Sequence, residues 1–388
     1  MEGPRAANNQ ELETILSLVN LVFRSGVNQD MASDYPLVFD KKNLNNLRVV
    51  LEEGKIISHA AMAERTLNAN DCVLPMSMIC AVATHPVYRK RGSATSIMED
   101  AVTSMALRGD AFGLLWTDSA RDFYRQLGWE VIGTNGWTYI LRPTQFNHFK
   151  SYCLVRAYQQ GKDLNRIIEI HQNQSEQLTR NQSAYQTLFN IPTIKIWVAE
   201  ENNLVTGYLV VAEAHNKSGV IEWGGTTKAL SSLLAHVLST TLETRLQVFV
   251  PSFKNPMKTL LQSLGCQERI PMEEADGCGL KMIRILSLKN LLEKLKPHIQ
   301  NCLGQSSGEL GIVVAETAER ISLKWKNKHF TVGTEQVSEE KTLTLRETAQ
   351  FIFGPMKPSS VTSLSPETAE ALDQVFPFTF HIGMLDYV

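Results

Sequence analysis

The sequence predicts an α+β protein in three parts, and three observations carry that expectation. An apolar run from Met78 to Thr84 is followed by a basic turn and then an amphipathic stretch, the order strand, turn, helix. A similar order of elements returns after residue 146, and beyond residue 287 short alternating segments lead into one more helix. With 388 residues, 43% of them hydrophobic and 20% charged, the chain is long enough for two or three domains with substantial cores.

The first part spans residues 1–145. Glu11 to Phe23 reads as a helix, and Leu47 to Leu51 with Lys55 to Glu64 reads as a hairpin around Glu53-Gly54. The strand Met78-Ile79-Cys80-Ala81-Val82-Ala83-Thr84 is closed by His85-Pro86, because proline cannot donate to a sheet ladder. After it come Arg89-Lys90-Arg91-Gly92-Ser93-Ala94, and then apolar residues at Ala94, Ile97, Met98, Ala101, Val102 and Met105 with a helical period. The turn therefore meets a helix N-terminus, where unpaired backbone N–H groups, the positive end of the helix dipole and three basic side chains share one field. A glycine at 92 lets an anion approach the backbone, so the segment is suited to a pyrophosphate. The bland alternative is a solvated basic turn entering an ordinary amphipathic helix. Ala111 to Thr117 reads as a buried strand, followed by a short helix that carries Phe123 and Tyr124 and stops at Gly128-Trp129.

Composition narrows the function classes. The formal charge of −2 argues against a distributed basic face for nucleic acid. Cys72, Cys80, Cys153, Cys266, Cys278 and Cys302 include no Cys-x-x-Cys pair, and Met1 to Glu11 has no apolar signal core, so a reducing, cytoplasmic setting is expected. No apolar run approaches the roughly 20 residues that span a bilayer. None of the nine histidines stands in a metal-ligand or triad spacing, so no metal is expected, and His59, His85 and His381 read as structural.

The second part, 146–286, repeats a helix, three strands and a helix. Its turn reads Trp223-Gly224-Gly225-Thr226-Thr227-Lys228-Ala229, with one basic residue and no arginine or glutamine in register. It is expected to be a degenerate copy without cofactor. The third part, 287–388, shows alternation at Glu309 to Ala315, Arg320 to Trp325 and Lys328 to Gly333, read as short antiparallel strands, and then a helix ending at Gly354.

The segment from Met78 to Leu107 resembles motif A of the GNAT acetyltransferase superfamily, a bulged strand followed by (Gln/Arg)-x-x-Gly-x-(Gly/Ala) at a helix start. Tyr124-Arg125-Gln126-Leu127-Gly128-Trp129 is similar to that superfamily's Tyr-x-x-x-Gly-aromatic segment. The resemblance implies acetyl-CoA as co-substrate. It gives the backbone of Val82, Ala83 and Thr84 to the pantetheine, and Lys90, Arg91, Gly92, Ser93, Ala94 and Thr95 to the pyrophosphate, with Arg89 at the entrance. Ser119 either caps the following helix or contacts the cofactor. Tyr124 aligns with the tyrosine that protonates the leaving thiolate; the alternative is a buried ring packing beside Phe123.

The helix from Leu343 to Gly354 is similar to that of sterol-carrier-protein-like domains, which leaves a lipid pocket or a packing module open. One active GNAT unit, one degenerate unit and this ending together resemble the enhanced intracellular survival (Eis) family of N-acetyltransferases over nearly the whole chain. That resemblance implies an amine acceptor, a homo-oligomer of the hexameric kind, and a terminal carboxylate, here that of Val388 after Leu385-Asp386-Tyr387, acting as the base. Asp30 and Asp34, in the region that commonly lines a GNAT acceptor pocket, read either as attractors of a cationic amine or as solvated acids. The rival functions are a non-catalytic CoA- or lipid-binding protein and an acetyltransferase of peptides.

Overall fold

The computed structural model describes residues 1–27, 29–133, 136–214, 217–271 and 279–387. It divides into two compact units, the first made of Met1–Gly133 with Leu280–Thr379 and the second of Thr134–Gly279 with Phe380–Tyr387.

In the first unit one sheet runs Glu2–Ala6, Leu47–Glu52, Lys55–Ala69, Cys72–Thr84, Phe112–Thr117, Leu280–Ile285, Glu130–Val131. The expected hairpin at Glu53-Gly54 is present, with left-handed φ of 50° and 74° at its two central residues, the twist that two-residue hairpins favour. A second tight hairpin follows at Asn70-Asp71, so the strand expected from Met78 begins earlier, at Cys72. The helix Ser93–Arg108 buries Ile97, Met98, Ala101 and Met105 in a core with Leu115, Tyr124, Trp129 and Met282. Burial of each large apolar side chain there contributes about 1.5–3 kcal/mol. Gly113 is required beneath Trp129, since a Cβ would come within 2.7 Å of the indole.

The expected boundaries at 145 and 286 are displaced by an exchange of strands. Gly136–Leu141 leaves the first part and pairs with Leu246–Pro251 in the second sheet, whereas Leu280–Ile285 pairs with Phe112–Thr117 in the first. Both strands are apolar enough to be buried in either sheet, so their composition does not reveal their destination. The second sheet runs Arg269–Pro271, Gly136–Leu141, Leu246–Pro251, Lys217–Gly225, Leu204–Ala214, Ile194–Glu201, Leu154–Ala157, and the helix Thr227–Thr240 packs on it through Leu230, Leu233, Leu234 and Leu238.

The segment expected to form a separate third domain clusters with the first unit up to Thr379, and its last residues with the second. Its sheet runs His329–Gly333, Arg320–Lys326, Ser307–Val314, Glu340–Leu343; the first three strands are antiparallel as expected and the fourth pairs in parallel. The helix Leu345–Phe353 opens with a reciprocal capping box between Thr344 and Glu347. Arg346 on this helix and Arg125 both hold the fully buried Glu130, at 2.6 and 2.5 Å, and the Val131 N–H donates to the same carboxylate at 2.9 Å.

Candidate active site

The strand Cys72–Thr84 breaks its register with Lys55–Ala69 between Cys80 and Ala83, opposite His59 and Ala61. Ala81 takes a left-handed φ of 50° inside this bulge. His59, wholly buried, reaches across with Nδ1 at 3.0 Å from the Ala81 carbonyl oxygen, and burial lowers its pKa to about 4, so the ring is neutral at pH 7. On the other side, the parallel ladder to Phe112–Thr117 ends at Ile79 and Leu115 although both strands continue. Among the described residues, the edge of Cys80 to Thr84 on that side therefore pairs with no neighbouring strand, and Val82, Ala83 and Thr84 lie along it. The Ala83 carbonyl is partly engaged, accepting from the Ser58 hydroxyl at 3.1 Å, and the Thr84 and Ser58 hydroxyls stand 2.9 Å apart.

The turn that follows is built by its own side chains. His85 stacks edge-on to Tyr88 at 5.6 Å, and Arg89 donates to the Thr84 carbonyl at 3.2 Å. Arg91 lies over the Tyr88 ring at 5.1 Å and 3.3 Å from Glu52. Lys90 and Gly92 both take left-handed φ, 64° and 85°. Gly92 is the N-cap of Ser93–Arg108 and supplies no side-chain cap; the first helical bond runs from the Ser96 N–H to the Gly92 carbonyl at 3.0 Å. The N–H groups of Ser93, Ala94 and Thr95 thus precede the helical ladder, and open space lies beside the Gly92 Cα. Arg89, Lys90 and Arg91 are exposed around this opening, while Ser93 is buried. Anions fit such a place.

Tyr124 sits at the base of the same unit. It is 8% exposed, packs edge-on to Phe123 at 5.1 Å and Trp129 at 6.5 Å, and burial raises its pKa to about 12, with the nearby Cys80 thiol adding to the shift. Among the described residues no hydrogen bond holds its hydroxyl. It is protonated at neutral pH and can give up a proton only to a strong base formed beside it.

Of the two readings of Ser119, the cap falls away here. Ser119 does not cap the helix that carries Tyr124: that helix is Arg121–Gln126, its N-cap is Ala120, and the Ala120 N–H is taken by the Thr117 hydroxyl at 3.1 Å. Ser119 is left exposed one residue before the cap, because the strand ends in a tighter turn than its sequence suggests. Asp30 is exposed, as the solvated reading expects, but serves as a helix cap, whereas Asp34 is taken up by an ion pair. Asp30 caps Met31–Asp34 through the Ala32 and Ser33 N–H groups and the Ser33 hydroxyl, and Asp34 pairs with Arg24 at 2.6 Å. Val388 lies outside the described residues.

The geometry is that of a strand bulge opening a backbone edge beside an uncapped helix N-terminus. Residues 4–132 match the model of the acetyltransferase (GNAT) domain.

This part of the chain is a GNAT domain.

Over 95 residues the chain is 34% identical to the aminoglycoside 2'-N-acetyltransferase of Mycolicibacterium fortuitum, a match that covers 24% of this chain and 47%, about half, of that relative. Solved structures share the fold beyond the GNAT domain. A probable N-acyltransferase from Enterococcus faecalis superimposes with a TM-score of 0.76 at 17% identity, covering 99% of this chain and 98% of the other. A GCN5-related N-acetyltransferase from Anabaena variabilis gives 0.76 at 15% identity over 99% of each chain, and Eis1 from Mycobacterium abscessus gives 0.68 at 13% over 100% of each. A GNAT fold uses acetyl-CoA as co-substrate. Among the described residues no helix is long and apolar enough to cross a membrane.

The second unit repeats the bulge, and among the described residues its parallel ladder to Leu246–Pro251 is confined to Val220 and Val248 although both strands continue. Leu204–Ala214 and Lys217–Gly225 shift register between Val210 and Val211, opposite Glu222 and Val220. The helix there is capped by its own Thr226 hydroxyl, which accepts from the Ala229 N–H at 3.2 Å. Gly225 packs so tightly that a Cβ would meet the Thr206 carbonyl oxygen at 2.3 Å, and Gln174 donates to the Trp223 carbonyl at 2.7 Å. The helix start that would receive a phosphate is capped by its own side chain. Sequence reasoning missed what fills this unit's interior: His171, Arg180, Glu222 and Asp386 meet there from distant parts of the chain. The one available signal is Glu222 itself, a lone acid in the apolar run Val220-Ile221-Glu222-Trp223.

Proposed function

We propose that the protein is an acetyl-CoA-dependent N-acetyltransferase that transfers the acetyl group directly to an amine in a ternary complex. The observation that carries this reading is the juxtaposition, within residues 80–95, of an unpaired bulged strand edge and an uncapped helix N-terminus ringed by three basic residues. Both parts of an acyl-CoA have a place in it. The edge from Val82 to Thr84 suits the amide groups and thioester, and Lys90, Arg91, Gly92, Ser93, Ala94 and Thr95 suit the pyrophosphate, with Arg89 bracing the turn from its entrance. Ser119, exposed and free of a capping role, stays a candidate cofactor contact.

In this reading Tyr124 supplies the proton that the departing thiolate requires. A phenol whose pKa is near 12 stays protonated until a strong base forms beside it, and its ring is fixed by Phe123 and Trp129. The likeness to an aminoglycoside acetyltransferase over about a quarter of the chain favours a small amine as acceptor. We read residues 287–388 as a sterol-carrier-like segment that serves packing, on the strength of the Arg346–Glu130 contact that ties its helix to the GNAT domain.

The test is release of free thiol from acetyl-CoA against a panel of aminoglycosides, polyamines, arylamines and peptides. Amine-dependent release with a small amine supports the proposal, release with peptides alone moves the acceptor class, and no release with any acceptor leaves the non-catalytic reading.

A further inference from the structure

The second unit contains a cavity of about 460 Å³, a size suited to a small organic ligand. It lies at the split between Lys217–Gly225 and Leu246–Pro251, and its walls include Ile170, Trp223, Phe249, Pro251 and Phe253, against which a flat apolar body can lie. This copy of the split has no room for a nucleotide. In the first unit residues 85–91 separate Thr84 from the helix N-cap Gly92, whereas here Gly225 runs directly into the N-cap Thr226, whose hydroxyl already holds the Ala229 N–H. The turn that would carry a pyrophosphate is missing while the cavity remains, so the cavity calls for a ligand of its own.

Charge narrows the choice. Glu222 and Asp386 line the cavity, but every oxygen of both carboxylates already accepts from the buried Arg180, at 2.5 to 3.2 Å, and Tyr208 also donates to Glu222 at 3.1 Å. A cationic group or a metal ion therefore meets no carboxylate oxygen that is not in use, and an anion would lie against two carboxylates. Arg166 is matched by Glu169 at 2.6 Å and by the Val205 carbonyl at 3.1 Å, and Lys254 is exposed, where water and salt screen its charge. What the interior suits is an uncharged body.

One polar atom of the wall is left over. His171 is 3% exposed and lines the cavity; its Nδ1 is paired with the Tyr185 hydroxyl at 2.7 Å, and among the described residues its Nε2 makes no hydrogen bond, with Glu222 Oε2 4.0 Å away, beyond hydrogen-bond reach. Burial holds this imidazole below its ordinary pKa, so the ring is neutral, and Nε2 is bare or carries the proton according to which way the Tyr185 hydroxyl turns. A hydroxyl answers both states, since it donates to a bare nitrogen and accepts from an N–H. We propose that this cavity binds an uncharged, hydroxyl-bearing aromatic molecule, with its hydroxyl on His171 Nε2 and its rings against Trp223, Phe249 and Phe253. The site uses residues of the second unit alone, so it stands or falls apart from the reading of residues 80–95.

The experiment is calorimetric titration of the full chain at pH 7 with 2-naphthol, 2-naphthoate and 2-naphthylmethylamine, which share one ring system and are uncharged, anionic and cationic in turn. The proposal expects one saturable 2-naphthol site, on the order of tenfold tighter than for either ion and unaffected by saturating acetyl-CoA. His171→Phe, which keeps a ring and removes the nitrogens, should weaken 2-naphthol binding on the order of tenfold, and so should Phe253→Ala, which removes a half-buried wall, with acetyl-CoA affinity unchanged in both. If His171→Phe fails to fold, Phe253→Ala decides alone. No binding of 2-naphthol, equal binding of either ion, displacement of 2-naphthol by acetyl-CoA, or unchanged 2-naphthol affinity in either folded variant would each overturn the proposal.

Discussion

The Nδ1 atom of His59 lies 3.0 Å from the carbonyl oxygen of Ala81, the residue at which the bulged strand turns left-handed. A buried side chain thus holds the distortion that opens the edge. The imidazole is neutral in the folded protein, with a pKa of about 4 against an ordinary value near 6.5. Between those values the unfolded chain binds a proton that the folded chain does not, so this contribution is complete above about pH 6.5 and is lost as pH falls toward 4. We expect His59→Gln, which cannot titrate, to show a shallower loss of stability across that window. Urea midpoints measured from pH 4 to pH 7.5 check it; matching slopes in the two proteins contradict it.

Glu130 is held by Arg125, Arg346 and the Val131 N–H, which together keep its pKa below the usual carboxylate range against the opposing effect of burial. Removal of the carboxylate leaves two half-exposed arginines that water can reach, so the loss is that of hydrogen bonds to a charged group, about 1.5–3 kcal/mol. Glu130→Ala should therefore lower the thermal midpoint by several degrees. A midpoint within one degree of wild type, about the scatter of such scans, would show that the arginines find other partners.

Tyr124→Phe keeps the ring packing against Phe123 and Trp129 and removes only the hydroxyl. The expected result is a fall in kcat on the order of 10²-fold with acetyl-CoA affinity unchanged, since general-acid catalysis contributes about that much. Steady-state kinetics with calorimetry separates the two, and wild-type turnover would make Tyr124 a packing residue.

How legible was all this? The strand, turn and helix from 78 to 108 were readable because apolar periodicity, a proline stop and a glycine at a left-handed position are local signals, as is the turn at Glu53-Gly54, whereas the hairpin at Asn70-Asp71 lies outside the strand read from Met78. The exchange of Gly136–Leu141 and Leu280–Ile285 between sheets was not, since an apolar strand carries no mark of its partner. Of the two roles open to Ser119 the cap goes to Ala120 instead, since cap positions shift with turn geometry that sequence does not display. The roles of Asp34 and His59 depended on Arg24 and Ala81, contacts made through folding rather than spacing.

The measurement that bears most directly on the central claim is the stoichiometry of acetyl-CoA binding by calorimetry, in wild type and in Gly92→Val. Position 92 has φ of 85° with open space around it, so a valine there strains the backbone and also fills the room through which a phosphate would approach the helix N-terminus. One site per chain in the wild type, and no saturable binding in a folded Gly92→Val protein, is the predicted result. Two sites per chain, or unchanged affinity in the folded variant, would contradict the assignment of the cofactor to residues 80–95 of the first unit.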